Sequence, residues 1–168
     1  MRSIGVLAIA KTLFFLLYSS KNNPFMARIK VSLAEKSFFE TEIPVRITDL
    51  NYGNHLANDK LLSIIHEARV QFLQSFGFSE MDLGGCGIIM ADVAIEYKAQ
   101  SYYADVLIVK IGIHDLTRVS FDLTYEILKK SSDQNILIAK AKTGIVTFDY
   151  QTNKVVEVPK AFLEKLQD

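Results

Sequence analysis

The hydrophobic and polar positions of this chain change period twice. Between residues 38 and 49 they alternate. Ile43, Val45 and Ile47 interleave with Glu42, Pro44, Arg46 and Thr48, the period-two signature of a strand buried on one face. Pro44 cannot donate to a ladder, so that strand is expected at a sheet edge or a bulge. Residues 49–58 gather Asp, Asn and Gly into a loop. From Asp59 to about Phe76 the period lengthens. Leu61, Ile64, Ile65, Ala68, Phe72 and Leu73 recur at spacings of three and four, which predicts a helix about 25 Å long. Asn58 or Asp59 can cap its start, and Gly77 stops it. Past the glycine-rich stretch 83–87 the pattern returns to strands, predicted over Ile88–Tyr97, Asp105–His114, Val119–Leu128 and Ile136–Phe148. Val155–Val158 reads as a strand end. The polar run Lys129–Asn135 is a hairpin turn, and Pro159 opens a short helix through Leu166.

One strand, one long apolar helix and four long strands predict an α+β fold. In it the central helix is buried against an antiparallel sheet of about five strands, with consecutive strands as hairpin neighbours. A chain of 168 residues fits one domain, and no repeat or linker divides it.

Residues 1–25 stand apart. Arg2 precedes the apolar run Ile4–Ala10, Lys11 interrupts it, and Leu13–Tyr18 resumes it. The segment reads either as a targeting signal or membrane anchor, or as an extension upstream of a start at Met26. Lys11 is costly within a spanning helix, and no small-x-small cleavage site follows. The folded domain is therefore expected over 26–168 and in the cytoplasm. Membrane contact is expected only if residues 1–20 are a genuine anchor.

Nineteen basic and nineteen acidic side chains balance to zero, so no basic field draws the protein to nucleic acid. Cys86 is the one cysteine, which excludes a disulfide framework or a multi-cysteine zinc site. It reads as a small packing residue. His55, His66 and His114 are scattered and no HExxH is present. Neither metal nor cofactor is expected.

The segment Thr48-Asp49-Leu50-Asn51-Tyr52-Gly53-Asn54-His55-Leu56-Ala57-Asn58, followed on the helix by Glu67-Ala68-Arg69, resembles the 4-hydroxybenzoyl-CoA thioesterase branch of the hot-dog fold. That branch shows D-x-D-x-x-G-H-V-x-N and then E-A-R. Tyr97-Lys98-Ala99 and Thr117-Arg118-Val119-Ser120-Phe121 fit the same pattern, and the likeness spans about residues 38–162. It implies hydrolysis of an acyl-CoA or acyl-carrier-protein thioester by a homodimer or homotetramer. The chain departs from the pattern where the second acid is expected, at Asn51, and in Gly53-Asn54-His55. An amide cannot act as nucleophile or general base. Two other functions therefore stay open: a non-catalytic acyl-CoA-binding protein, and a hydratase or dehydratase using a histidine with a carboxylate.

Thioester hydrolysis needs a polarised carbonyl, an attacking water or carboxylate, and a held substrate. The helix start offers free backbone N–H groups around Ala57, Asn58 and Asp59 as oxyanion donors. Glu67 is the preferred base, because a carboxylate amid apolar helix positions needs a specific environment. An ion pair with Arg69 or plain exposure is its other reading. Asp49 reads as holding the loop by hydrogen bonds to backbone N–H groups, with catalysis as its other reading. Asp59 reads first as a favourable charge at the helix start. His55 can polarise the carbonyl, orient a water or fix the loop. Asn51 and Asn58 can position water or carbonyl, or simply form turns. Arg118 is, by resemblance, the cation for CoA phosphates, and otherwise a solvated strand-end charge. The acyl slot is expected along the helix and the strand Ile88–Ile95.

Overall fold

The computed structural model describes residues 28–167. The extension expected over residues 1–25, and any anchor within it, lie outside the described residues. Strand β1 (Ser37–Pro44) leads through a 3-10 turn (Ile47–Asp49) to helix α1 (Asn58–Ser75). Four strands follow: β2 (Gly87–Tyr97), β3 (Val106–His114), β4 (Ser120–Lys129) and β5 (Ile136–Asp149). A two-residue strand, β6 (Lys154–Val155), and a short helix, α2 (Lys160–Lys165), complete the order. The sheet is antiparallel throughout, in the order β1-β3-β4-β5-β2, with β6 on β5. It is the expected α+β arrangement of five long strands on one helix, with β6 added.

Helix α1 lays Leu61, Ile64, Ile65, Ala68, Phe72 and Leu73 on the sheet. There they meet Leu107, Val109, Ile111, Leu123, Tyr125, Ile127, Ala139 and Ala141, all buried. The three-four spacing of the helix meets the alternation of the strands, which is why both periods are legible in the chain. At its far end, Phe78 N–H donates to Leu73 O and Gly77 N–H to Gln74 O, each at 2.9 Å. Gly77 takes φ +81°, the left-handed turn that closes such a helix end.

Three expectations change. The first strand stops at Pro44 and does not run on to 49. Asp49 instead accepts from Arg46 N–H at 2.8 Å and turns the chain. The helix begins one residue earlier than Asp59, and its N-cap is Ala57, with no side-chain cap. Neither Asn58 nor Asp59 caps it, because both already lie inside the first turn. Finally, β2 and β3 are not hairpin neighbours. Among the described residues β2 pairs only β5 and forms one sheet edge, while β3 sits between β1 and β4. The connector 98–105 therefore crosses the end of the sheet. Strands close in sequence pair only when hydrogen bonding and burial favour it, and here the helix-facing layer is completed by the longer route.

The other face of the sheet carries a strap. Val31 N–H donates to Glu96 Oε2 at 3.3 Å and Ala34 N–H to Thr124 Oγ1 at 3.1 Å. A Cβ on Gly112 would stand 2.6 Å from Ala34 Cβ and 2.8 Å from the Lys36 carbonyl, so glycine makes the passage under the strap. No helix among the described residues is long and apolar enough to cross a membrane.

Candidate active site

A cavity of about 440 Å³ opens where the crossing connector meets the start of α1. Asn51, His55, Leu56, Asn58 and Leu61 form one wall. Tyr97 to Ser101 and Ile138 form the other. The two walls are tied together, since Leu56 N–H donates to Ser101 O at 2.8 Å and the Tyr97 hydroxyl reaches Asn58 O at 3.4 Å.

The first wall is a tightly bonded loop. Asn51 N–H donates to His55 O, and Asn54 N–H to Asn51 O, both at 3.0 Å. Asn54 sits at φ +60°, a conformation asparagine tolerates better than most residues. Gly53 N–H donates to Asn51 Oδ1 at 2.8 Å. His55 Nδ1 lies 3.2 Å from Leu56 O and 3.5 Å from Asn51 Nδ2. Leu56 O is the shorter of the two contacts, and in the tautomer that donates Nδ1–H to it Nε2 keeps its lone pair. A Cβ on Gly53 would stand 3.1 Å from that Nε2 and 3.1 Å from Asn51 Oδ1. Glycine thus gives both polar groups their room.

The helix start supplies the donors, with one subtraction. Ala57 N–H is already given to Asp49 O at 2.9 Å, so it is not an oxyanion donor. The N–H groups of Asn58, Asp59 and Lys60 have no backbone or side-chain acceptor among the described residues. The lack of a side-chain cap is what leaves them open, at the positive end of an 18-residue helix.

Asp49 does not line this cavity. It is buried at 2% exposure, accepting from Arg46 N–H and, at 3.2 Å, from Arg46 Nε. Burial pushes its carboxyl up, but the hydrogen bonds and charge of Arg46 outweigh this and hold it below the usual range. Its work is to fix the loop. Asp59 is exposed in the first helical turn. Burial, then the nearby Asp59 charge, raises the Tyr97 hydroxyl above its ordinary value.

Glu67 is not enclosed beside His55. It lies exposed on the β1 side of the helix, where it accepts from Gln71 Nε2 at 2.7 Å, while Gln71 Oε1 accepts from the Thr41 hydroxyl at 2.6 Å. The helical repeat puts Lys60, Ser63, Gln71 and Gln74 on the same polar face, so nothing buries it. Arg118 lies in the β3–β4 turn, at the opposite end of the sheet. It pairs with Glu157 at 2.9 Å, both strongly exposed. Ser120 faces Val146 on β5, eight residues, about 26 Å, from Ile138 in the cavity wall. The cavity lies beyond Ile88–Ile95, the stretch expected to line an acyl slot, at the Tyr97 end of that strand. Tyr97, Lys98, Gln100, Ser101 and Ile138 were not anticipated as site residues. Their one signal was the polar break after Tyr97, and only the crossing of the sheet turns it inward.

Outside the cavity, a polar cluster sits on the β2 flank of α1. Arg69, 7% exposed, donates from Nε to Glu80 Oε1 at 2.7 Å and from Nη1 to Met90 Sδ at 3.8 Å. His66 Nε2 lies 3.0 Å from Glu80 Oε2. Burial raises the Glu80 carboxyl, but the bonds from His66 and Arg69 overcome this and hold it below its ordinary value. Cys86 is buried, and burial pushes its thiol up, the opposite of an activated nucleophile. No three metal-ligating side chains converge among the described residues.

Comparison with known proteins adds the lineage. A model of the thioesterase-like superfamily matches residues 45–166. A protein of Aquifex aeolicus (strain VF5), provisionally assigned as an esterase, is 31% identical over 147 residues, covering 86% of this chain and 99% of that one. The crystal structure of a 1,4-dihydroxy-2-naphthoyl-CoA thioesterase from Synechocystis superposes with a TM-score of 0.69 at 22% identity, over 77% of this chain and 96% of that one. The 4-hydroxybenzoyl-CoA thioesterase of Pseudomonas sp. strain CBS-3 gives 0.67 at 16% identity, over 76% and 97%. These likenesses bear out the hot-dog fold.

Proposed function

The chain belongs to the thioesterase-like superfamily, and from that premise we propose that it hydrolyses an acyl-CoA or acyl-carrier-protein thioester to free acid and thiol. The observation that carries this is the uncapped start of α1, with the N–H groups of Asn58 and Asp59 open beside His55 and Asn51. A thioester carbonyl seated there gains two preorganised donors for the oxyanion that forms on attack. His55 Nε2 accepts a hydrogen bond from the attacking water. Asn51 holds the loop and presents its amide. Ile138 and Leu61 offer apolar contact to the acyl group.

The protein acts as a homodimer joined through β2. That edge is 11 residues long, and Ile89, Met90, Val93 and Tyr97 on it are 37–54% exposed. An unpaired apolar edge of this length needs covering, and a second copy covers it with a matching strand.

Thiol release from a panel of aryl- and alkyl-CoA thioesters tests the reading. Hydrolysis by the wild type is expected, with Asn51→Ala/His55→Ala about 10²-fold slower or worse. Among the described residues no carboxylate lines the cavity, which favours a second reading, acyl-CoA binding without turnover. Saturable binding with no thiol released from any member of the panel would establish that one instead.

A further inference from the structure

The cavity contains a place for the carbonyl and a holder for water, but no group with a charge partner to take the water's proton. If His55 were protonated, the resulting cation would face only the Leu56 carbonyl and the Asn51 amide. The His66–Glu80–Arg69 cluster has the complementary composition. Glu80 is fixed by Arg69, His66 Nε2 points at Glu80 Oε2, and the His66 side chain is 54% exposed. A carboxylate that orients an imidazole and stabilises its cation is the arrangement a general base needs.

Within one chain the two features do not meet: His66 stands eight residues along α1 from Asn58, about 12 Å. β2 runs from the cluster to the cavity. Ile88 N–H donates to Glu80 O at 2.8 Å and Met90 Sδ contacts Arg69, while Tyr97 and Lys98 line the cavity. Met90 to Tyr97 is seven residues of strand, about 23 Å. A two-fold axis through an antiparallel β2–β2 pair exchanges the ends. Centred on the regular stretch Asp92–Tyr97, it sets Ala99 at the cavity rim opposite the partner's Met90, across a strand spacing of about 4.8 Å. Each cavity then faces the other copy's cluster.

We propose that His66 of one copy is the general base for the cavity of the other, with Glu80 and Arg69 as its positioning residues. This rests on the hydrolase reading above. His66 donates Nε2–H to Glu80, which leaves Nδ1 as the acceptor. The attacking water hydrogen-bonds to His55 Nε2 of one copy and to the partner's His66 Nδ1. Its oxygen bonds to the thioester carbon as the proton passes to Nδ1, and the oxyanion is held by the Asn58 and Asp59 N–H groups. When the intermediate collapses, the C–S bond breaks and the departing thiolate takes the proton back from His66. Carboxylic acid and thiol leave, and His66 is neutral again.

Mixed dimers test this directly. Copies carrying His66→Ala are co-expressed with differently tagged copies carrying Asn51→Ala/His55→Ala, and doubly tagged dimers are isolated. Each parent homodimer is expected to lose about 10²-fold or more in kcat. The mixed dimer combines one intact cavity with one intact base across the interface, so about half the wild-type kcat should return. A mixed dimer as slow as its parents would overturn the proposal. So would a His66→Ala homodimer with wild-type kcat. Glu80→Gln keeps the packing of the cluster and should lower kcat with KM little changed, shifting the pH at which the rate rises. An unchanged pH profile would overturn its positioning role. A wild type inert on every thioester would remove the hydrolase reading, and this inference with it. Activity in the wild type together with full activity in His66→Ala would remove this inference alone.

Discussion

The two edges of the sheet are built to opposite rules. β1 ends in Pro44, is shifted in register between Ser37 and Phe39, and carries Glu40 and Glu42 among its exposed side chains. Helix α1 also covers it. Phe39 packs on Phe72 with ring centroids 6.0 Å apart, and Thr41 bonds Gln71. Proline, charge and cover are how proteins keep an edge from pairing. β2 has a bulge between Met90 and Asp92 but no proline, and it exposes apolar side chains instead. Both edges feed the cavity, β1 through the Asn51–Asn58 loop and β2 through Lys98–Ser101. One edge is closed and holds the site, and the other is left uncovered.

The largest effect on this contrast should come from Phe72→Ala. It removes the ring that anchors β1 to the helix and should cost about 3–5 kcal/mol, read from urea denaturation. A loss under about 1 kcal/mol would mean that β1 is held by its ladder alone. Next, Ile89→Lys/Val93→Lys should weaken self-association about 100-fold or more, seen by light scattering across a dilution series, with hydrolysis falling in step. A wild type already monomeric at every concentration would break the comparison outright. Asp49→Ala, which frees the loop at the end of β1, should cost about 1–3 kcal/mol at neutral pH. Because the folded carboxyl titrates below its unfolded value, its contribution is present above the unfolded pKa, about 3.9, and fades as pH falls through the folded one. Wild type and variant should therefore converge only in that acidic window. Convergence near neutrality would show that the Arg46 contact contributes nothing. Smallest of all, Glu40→Thr on the closed edge should leave assembly unchanged and alter stability by under about 0.5 kcal/mol.

Much of this was legible in the chain. The apolar positions of α1 and the alternation of β3, β4 and β5 are local signals, and they place each element to within a residue or two. Pro44 marked its edge. The neighbour relations were not legible, because β2 pairs β5 and β1 pairs β3 through contacts between distant segments, and no local pattern encodes which strand a strand chooses. In the site, the loop from Asn51 to Asn58 announced itself. Glu67 did not behave as its apolar neighbours suggested, although Lys60, Ser63, Gln71 and Gln74 on the same face could have shown it to be solvated. Arg69 stood within the apolar stripe, a sign that an acid from elsewhere in the chain pairs with it. That Glu80 was the acid depends on how the chain folds back after Gly77.

The strand order also has a kinetic meaning. His114 meets Asp122 across a tight turn, so β3, β4 and β5 form a meander from nearby residues. Ser37 must find Gly112, and Gly87 must find Phe148, across long stretches of chain. Closing such loops is slow, so the meander should assemble first and wait, bare on both sides, for β1 and β2 to arrive. During that interval β3 and β5 are themselves free edges. The step most exposed to aggregation is then an early one.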